Sequence, residues 1–230
     1  MLKEWLKKLQ NSSYLENRRA ILKLLEPDKS AKLLDLGCGD GSFTLELGQE
    51  IGTAQLHGVE IVEEFIQQCE AKGIKAYYGD LNEPLPLDSK SFDVVHANQV
   101  LEHLHRTDLF IREIHRVLRW GGYAVISTPN LAAWHDIACL FLGWQPFTAD
   151  LSDEVRVGRP LPAEMSSVMG VFHRRVPTYR GLKELLQYHG FKVERIVGTG
   201  YYPFPGKMGR LFSRLDPRHS LYLTIKARKA

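Results

Sequence analysis

The stretch KLLDLGCGDGSF, residues 32–43, constrains the fold of this chain more than any other part of the sequence. After Lys32 its first half is apolar apart from Asp35, and glycines follow at alternate positions. An apolar run of this kind forms a buried strand, and glycine permits the backbone conformations of a sharp turn. A helical pattern follows over 42–50, with Ser42 as its expected N-cap. A strand, a glycine turn and a helix start together predict a ligand site at the carboxyl end of a parallel sheet.

The alternation of strand and helix patterns continues beyond this turn. Apolar runs predict strands at 54–61, 75–80, 91–98 and 123–130, and amphipathic patterns predict helices at 62–72 and 107–119. Gly121 and Gly122 are expected to end the second of these helices. A helix at 178–189 and strands at 191–198 and 220–229 follow. The short connections predict an α/β fold with a Rossmann-like, doubly wound, mostly parallel sheet and helices on both faces.

Two segments depart from this alternation. Residues 1–27 have apolar residues at helical spacing, which predicts a helical cap on one edge of the core. The alternative is a basic amphipathic helix that lies on a membrane surface or closes over a ligand. Residues 131–176 are rich in aromatic residues and lack a clear period, which predicts a lid or substrate-facing insertion. We expect one domain over residues 1–230 that includes both segments.

Composition narrows the classes of function. The formal net charge of the 230 residues is +3, which is too small to argue for a nucleic-acid partner. The three cysteines are widely spaced, which argues against a zinc site or a disulfide framework. No stretch of sequence approaches the roughly 18 to 20 apolar residues of a membrane span, and the N-terminus does not resemble a signal peptide. We expect a cytoplasmic protein.

Acidic residues at the ends of successive predicted strands indicate the ligand. A dinucleotide fingerprint fails because Ser42 stands where its third glycine would fall, which disfavours a nicotinamide dehydrogenase. Asp35 would repel a pyrophosphate and suits an ammonium group. Glu60 ends the second strand, where a carboxylate accepts hydrogen bonds from ribose hydroxyls. Asp80 ends the third strand and can accept a hydrogen bond from an adenine amine. Ammonium, ribose and adenine together describe S-adenosylmethionine.

The motifs that carry these residues resemble those of class I S-adenosylmethionine-dependent methyltransferases, in particular the type 11 and ubiquinone-biosynthesis members. LLDLGCGDGSF resembles the first motif and GVEI the second, while GDLNEPLPLDSKSFDVVHANQVLEHL resembles the adenine-binding and fourth-strand motifs. LRWGGYAVISTPN resembles the segment that leads into the fifth strand. The resemblance covers residues 30–130. It implies a seven-stranded sheet with an antiparallel last strand, S-adenosylmethionine as cofactor and S-adenosylhomocysteine as product.

The resemblance also implies which residues bind the cofactor. They are Asp35, Gly37, Cys38, Gly39, Glu60, Ile61, Asp80, Leu81 and Asn98. Gly37 and Gly39 would flank the methionine end, Asp80 and Leu81 would bracket the adenine, and Asn98 would lie under the sulfonium.

Candidates for the chemistry lie just past the fourth strand, in NQVLEHLH, residues 98–105. A hydroxyl acceptor needs a base or a metal to become nucleophilic. If this segment is helical, Gln99, Glu102 and His103 share one face. Either His103 or Glu102 then acts as general base, or the pair holds a divalent cation, or both residues only brace the cofactor pocket.

The metal hypothesis depends on a second resemblance. In ubiquinone-biosynthesis O-methyltransferases and small-RNA 2′-O-methyltransferases a similar segment reads ExxEH and binds a metal. Here Gln99 stands at the first position, so one anionic ligand is missing. Nothing in the sequence identifies a distal ligand such as His173. We therefore assign Glu102 and His103 as catalytic and expect no metal.

Residues that contact the acceptor are expected at Gln99, His173, Arg175, Tyr179 and Tyr14, with Arg18 and Arg19 of similar standing. A solvated basic loop is the alternative for residues 173–175. We expect a methyltransferase, monomeric or homodimeric, that acts on a small or lipid-like acceptor at oxygen. Peripheral membrane contact is left open.

Two other functions stay open. An RNA-modifying methyltransferase would use the basic residues of the C-terminal third, namely Arg195, Lys207, Arg210, Arg214 and Arg218. A non-catalytic S-adenosylmethionine-binding module would have an occluded acceptor pocket.

Overall fold

The predicted strands form one sheet in the computed structural model, which describes residues 2–160 and 172–230, with side chains from residue 11 onward. The strands are β1 (Lys32–Leu36), β2 (Gln55–Glu60), β3 (Lys75–Tyr78), β4 (Phe92–Asn98), β5 (Leu118–Pro129), β6 (Phe191–Thr199) and β7 (Tyr222–Lys229). The helices are α1 (Leu2–Leu22), α2 (Ser42–Ile51), α3 (Glu63–Ala71), α4 (Thr107–Val117), α5 (Trp134–Phe141), α6 (Tyr179–Tyr188) and α7 (Gly206–Leu215).

The sheet has seven strands in the order β3-β2-β1-β4-β5-β7-β6. Strands β1 to β5 pair in parallel, and β7 runs antiparallel to both β5 and β6. The expected fold class, with its mostly parallel sheet and antiparallel last strand, is confirmed. The chain leaves β1 on one side for β2 and later returns on the other side as β4. The carboxyl ends of β1 and β4 therefore border the crevice in which sheets of this kind bind ligands.

The two faces of the sheet are both buried, as the apolar runs predict. Successive residues point to opposite faces, so Leu33 and Val94 belong to one hydrophobic cluster and Leu34 and Val95 to the other. Ile21 at the end of α1 is fully buried in the first of these clusters. None of the helices described here is both long and apolar enough to cross a membrane.

Local boundaries differ from the expectation at two turns. Ser42 is not the N-cap of α2, because Gly41 takes that position in a left-handed conformation and the Ser42 hydroxyl donates to Asp40 instead. Helix α4 ends at Val117, before the two glycines, because Leu118 already pairs with Phe92 in the sheet. The glycines lie inside the β5 segment, where the pairing with β4 shifts register.

The segment 131–176 is more regular than its lack of period suggests. It contains α5, whose backbone continues directly from the turn after β5. Residues 161–171 of this expected insertion lie outside the described residues. The stretch before the last strand also contains regular structure, since α7 and a short 3-10 turn at Pro217–His219 precede β7.

Candidate functional site

The glycine turn after β1 adopts a conformation that only glycine adopts without strain. Gly37, Gly39 and Gly41 all have positive φ angles, of 72°, 54° and 78°. A β-carbon at Gly41 would lie 2.6 Å from Cδ1 of Ile74, so the turn also packs closely against the segment before β3. A β-carbon at Gly39 would meet nothing within 4 Å. The turn therefore leaves open space above Gly39 for a ligand.

Asp35 is buried beneath this turn and its carboxylate is held from two sides. Thr44 donates its hydroxyl to Oδ2 at 2.6 Å, and Nδ1 of His96 lies 2.7 Å from Oδ1. The His96 ring packs edge-on against Phe43, with centroids 5.3 Å apart. His96 comes from β4 and Thr44 from α2, so Asp35 links the strands of the crevice to α2.

A cavity of about 220 Å³ lies over the turn. Asp35, Gly37, Cys38, Gly39 and Asn98 line it together with residues of α1 and α2. From α1, Tyr14 and Arg18 reach the cavity, and the guanidinium of Arg18 lies 4.3 Å from the Phe43 ring centroid. Arg18 also forms an ion pair with Glu46 at 2.6 Å. The N-terminal helix thus supplies one wall of the space above the glycine turn.

Glu60 is oriented toward the turn by backbone groups. Gly39 N–H donates to Oε2 at 2.9 Å, and Ile61 and Val62 donate to Oε1 at 2.8 and 3.1 Å. These bonds place the carboxylate beside Gly39 and leave lone pairs for further donors. Two neighbouring strand ends therefore present carboxylates on the same edge of the sheet.

The third strand end is more open. Asp80 is exposed, and its Oδ1 accepts hydrogen bonds from the backbone and side-chain nitrogens of Asn82. Leu81 packs against the main hydrophobic core and lies 4.0 Å from where a Gly37 β-carbon would be. Asp80 and Leu81 thus lie along the same edge as the turn but outside the lining of the cavity.

Glu102, His103 and His173 form a cluster whose ligand atoms all lie within 4.8 Å of one another. Glu102 and His103 sit in a 3-10 turn, Leu101–His103, after β4, and His173 comes from the far side of the 131–176 segment. Nε2 of His103 lies 3.8 Å from Oε1 of Glu102, and the two imidazole rings have centroids 4.9 Å apart. Residues 70 positions apart along the chain thus converge here by tertiary structure.

Both imidazoles of the cluster are held in one tautomer. Nδ1 of His103 donates to the carbonyl of Phe172 at 2.9 Å, and Nδ1 of His173 donates to the carbonyl of Thr148 at 2.8 Å. Each ring therefore keeps its Nε2 as an acceptor. Desolvation lowers the pKa of both histidines below the ordinary value, so both are neutral at neutral pH.

Glu102 is fully buried. Thr128 donates its hydroxyl to Oε2 at 3.0 Å, and Oε1 has no hydrogen-bond partner among the described residues. Desolvation by burial raises the pKa of Glu102 to about 8. An unpaired oxygen on a buried carboxyl group is costly unless it is protonated or finds a ligand.

A family model described as a methyltransferase domain matches residues 27–169, more than half of the chain. The chain belongs to the class I S-adenosylmethionine-dependent methyltransferases. A probable S-adenosylmethionine-dependent methyltransferase of Mycolicibacterium smegmatis is 30% identical over 189 residues, which are 81% of this chain and 59% of that protein. The mitochondrial ubiquinone biosynthesis O-methyltransferase of Rattus norvegicus is 26% identical over 196 residues, 79% of this chain and 50% of that protein. The chain spans less than two thirds of the length of either relative.

The fold agrees with this membership. The crystal structure of an S-adenosylmethionine-dependent methyltransferase from Mesorhizobium loti superposes with a TM-score of 0.63 at 21% identity. The superposition covers 96% of this chain and 99% of that chain. At this identity the likeness concerns the fold alone.

The residues of the crevice fit the family's cofactor, S-adenosylmethionine. The open space above Gly39 gives its backbone room to approach a ligand, and carboxylates stand at the ends of β1 and β2. Of the residues expected to bind the cofactor, Asp35, Gly37, Cys38, Gly39 and Asn98 line the cavity. Glu60 touches the turn, whereas Ile61, Asp80 and Leu81 lie farther along the edge. The role of each residue stays a prediction.

The expected acceptor residues are not all brought together. His173 joins the cluster, while Tyr14 lines the cavity over the glycine turn. Gln99 does not share a helical face with Glu102 and His103, because its backbone is left-handed (φ 57°) and precedes the 3-10 turn. Arg175 is exposed and donates its backbone N–H to the Glu102 carbonyl at 3.2 Å, and Tyr179 packs on the main core.

Sequence reasoning missed several residues that shape the site. His96 had a signal, because it is a polar residue in the apolar middle of its strand. Asp150 and Asn17 gave no signal in the sequence, because each forms hydrogen bonds with residues that are distant along the chain. Nδ2 of Asn17 donates to Asn98, and Asp150 accepts the backbone N–H of His173 at 2.9 Å.

Proposed function

We propose that the methyltransferase methylates a hydroxyl group of a small, lipid-like acceptor, and that the cluster of Glu102, His103 and His173 activates this hydroxyl. The observation that carries the proposal is the convergence of unpaired proton- or metal-accepting atoms past the carboxyl end of β4, beside the cofactor turn. Val100, two residues before Glu102, is close enough to touch a β-carbon placed at Gly37. The cluster and the turn are therefore neighbours.

In this proposal His103 accepts the hydroxyl proton at Nε2. S-adenosylmethionine supplies an electrophilic methyl group, and an in-line displacement then depends on how well the acceptor oxygen is positioned and deprotonated. The Phe172 carbonyl holds the other ring nitrogen of His103, which keeps Nε2 free for the proton. Oε1 of Glu102 lies 3.8 Å from Nε2 of His103, and in its ionised form this carboxylate stabilises the imidazolium that the hydroxyl proton creates.

A divalent cation is a second candidate for the activating group. The unpaired Oε1 of Glu102 and the two Nε2 atoms form a set of two imidazoles and one carboxylate, which leaves coordination positions open for an acceptor oxygen. Backbone carbonyls orient both imidazoles, as outer partners of metal-binding histidines do. This donor set favours Zn²⁺, Fe²⁺ or Mn²⁺ over Mg²⁺, which prefers oxygen ligands. The sequence analysis predicts that no metal binds here. That statement stays a prediction, and it disagrees with the cation candidate.

The lipid-like character of the acceptor is supported by an apolar surface at the end of α5. Leu140, Phe141, Leu142 and Trp144 are exposed, with Phe141 exposed at 89%. An apolar surface of this kind marks a place where a ligand, a membrane or a partner binds. The rat relative is a ubiquinone biosynthesis O-methyltransferase, which supports both the lipid-like acceptor and oxygen as the methylated atom.

We also propose that residues 1–27 and 131–176 act as the cap and lid of a single domain over 1–230. Tyr14 and Arg18 of the first segment line the cofactor cavity, and Thr148 and Phe172 of the second orient the cluster histidines. Amide hydrogen exchange is expected to slow in 11–22 and in 144–160 when S-adenosylhomocysteine is added. Unchanged exchange in both ranges would contradict the proposed cap and lid.

The function is tested with S-adenosylmethionine that carries a labelled methyl group and three acceptors: a catechol with a prenyl tail, plain catechol and total RNA. We expect label on the prenylated catechol oxygen and much less on catechol. The variant His103→Ala should lose at least about 10²-fold in kcat, the usual share of a general base. His105→Ala, an exposed histidine two residues away, is the control. Label in RNA alone would overturn the acceptor class.

Cation dependence is tested on the same reaction. If the cluster holds a cation, protein that has been treated with a chelator and dialysed should lose activity. Zn²⁺ or Mn²⁺ should then restore the activity at a lower concentration than Mg²⁺ does. His173→Ala should then weaken the cation affinity measured by calorimetry, independently of turnover. Full activity in the chelated protein, with loss only in His103→Ala, would establish unaided proton transfer.

A further inference from the structure

A second cavity, of about 450 Å³, lies beside the amino end of β4, whereas the glycine turn lies near the carboxyl end of this strand. Its walls come from the residues just before β4, the start of β5, the last residue of β7 and one side of α4. Strand β4 runs from this cavity to the cofactor crevice, and its seven residues span about 20 Å. The cavity is therefore separate from the proposed site of methyl transfer.

The lining of this cavity is strongly basic. Lys90, Arg112, Arg116 and Lys229 contribute four cations, His115 and His189 add two imidazoles, and no aspartate or glutamate is among the described residues that line it. We call it the basic cavity. Arg116 is paired with Glu113 at 2.7 Å and His189 with Asp108 at 2.9 Å, whereas Lys90 and Arg112 form no salt bridge with any residue in the described ranges. A concave wall with charges of one sign concentrates anions.

Lys229 is an unusual group within the basic cavity because it is a buried cation, exposed at 4%. Its Nζ donates to the carbonyls of His115 and Leu118, at 2.5 and 2.8 Å. No carboxylate within the described part of the chain pairs with it. Desolvation, followed by the charge of Lys90, lowers the pKa of Lys229. A buried ammonium with only neutral partners has one donor left and gains from an anion nearby.

Lys90 has a backbone conformation that its side chain disfavours. Its φ angle is 57°, and its N–H donates to the Arg116 carbonyl at 2.9 Å. Non-glycine residues in this region carry strain and concentrate at binding and active sites. Glycine would adopt the same turn without strain, so the lysine side chain at this position comes with a cost in backbone strain.

Trp120 forms an aromatic wall of the basic cavity. It is exposed at 63%, and Nζ of Lys229 lies 5.2 Å from its ring centroid. An exposed indole next to several cations offers a flat apolar surface to the organic part of an anionic ligand. It also places a fluorescent reporter within the cavity.

We propose that the basic cavity binds a phosphate-bearing anion, a phosphomonoester whose organic group lies against Trp120. Phosphate has several acceptor oxygens and a double negative charge, which matches guanidinium and ammonium donors that surround it. The cavity is larger than inorganic phosphate needs, which leaves room for an attached organic group. The site is independent of the proposed methyl transfer.

The test uses phenyl phosphate and phenol as probes, at constant ionic strength, with tryptophan fluorescence and calorimetry as readouts. Phenyl phosphate should bind saturably and phenol should not. Lys90→Gly, which also relieves the strained backbone, and Arg112→Gln should each weaken binding roughly tenfold. Lys207→Gln removes the same charge from the exposed face of α7 and should change nothing. Trp120→Phe should keep binding by calorimetry and lose the fluorescence change.

A second arm distinguishes a free phosphomonoester from a lipid headgroup. Vesicles with phosphatidic acid are compared with vesicles of phosphatidylcholine alone. Binding to phosphatidic acid that falls in Lys90→Gly and Arg112→Gln, without phenyl phosphate binding, assigns the same chemistry to a lipid headgroup. Absence of binding in both arms overturns the proposal. The proposal is also overturned if Lys207→Gln weakens binding as much as Lys90→Gly and Arg112→Gln do.

Discussion

Nδ2 of Asn17 in α1 donates a 3.0 Å hydrogen bond to Oδ1 of Asn98 at the end of β4. Asn17 is fully buried, and its own Oδ1 accepts hydrogen bonds from Ser127 and Thr224, at 3.0 and 2.9 Å. The same side chain therefore joins the N-terminal helix, two strands and a residue of the cofactor cavity. It makes α1 part of the site and fixes the amide of Asn98.

Replacing Asn17 should affect both stability and cofactor binding. Asn17→Ala leaves buried hydroxyls and one amide without partners, which should lower the free energy of unfolding by about 2 kcal/mol. Because Asn98 loses the bond that orients it, the Kd for S-adenosylhomocysteine should rise. Urea denaturation and calorimetry measure the two effects. Asn11→Ala, an exposed position of the same helix, is the control and should stay within about 0.5 kcal/mol of the parent.

Arg18 should contribute to recognition of the carboxylate at the amino acid end of the cofactor. It lines the cavity and is the cation that lies over Phe43. Arg18→Ala should raise the Kd for S-adenosylhomocysteine roughly tenfold or more, the value of one charge-assisted hydrogen bond. Adenosine, which has no carboxylate, should bind both proteins equally. The control is Arg19→Ala, which removes the same charge from the neighbouring exposed residue. An equal rise in the Kd for S-adenosylhomocysteine in Arg19→Ala would contradict a specific role for Arg18.

Asp150 should hold His173 in the cluster. Its carboxylate accepts the His173 N–H at 2.9 Å and pairs with Arg159 at 2.6 Å, and both side chains of this pair are buried. Asp150→Asn leaves a buried guanidinium without its anion, which should cost about 3 kcal/mol of stability and lower kcat more than it raises KM. Asp153→Asn, at an exposed ion pair with Arg174, should change stability by less than about 1 kcal/mol. Unchanged kcat in a folded Asp150→Asn protein would contradict the positioning role.

His135 should make the protein less stable in mild acid. Desolvation by burial lowers its pKa below the ordinary value of 6.5, despite Asp136 nearby. The unfolded chain then binds a proton at a higher pH than the folded protein does. The contribution of His135 is fully present above pH 6.5 and is lost as the pH falls toward its lower folded pKa.

The measurement is the free energy of unfolding of the parent and of His135→Gln between pH 7.5 and 5. The parent should lose stability faster on acidification, by at most about 1.4 kcal/mol per pH unit. His105→Gln, an exposed histidine, should follow the parent. Parallel curves for the parent and His135→Gln would show that burial does not perturb His135.

The sequence by itself determined the sheet and its first turn. These features are local, because each is a pattern of residues a few positions apart in the chain. They are the apolar runs, the glycines after β1 and the acidic residues at the strand ends. Polar His96 in an apolar strand was a further local signal. The prediction that Ser42 is the N-cap of α2 was wrong. Serine is often an N-cap, but the turn before α2 places Gly41 in that position with a left-handed backbone.

Only the tertiary structure decided the composition of the reactive cluster and of the basic cavity. His173 meets Glu102 and His103 because the residues just before α6 pair with the turn after β4, and Lys229 meets Lys90 because β7 runs antiparallel to β5. Asn17 reaches Asn98 across 81 positions of the chain. Such contacts depend on how elements pack in space, and the periodicity of a sequence describes only which face of an element is buried.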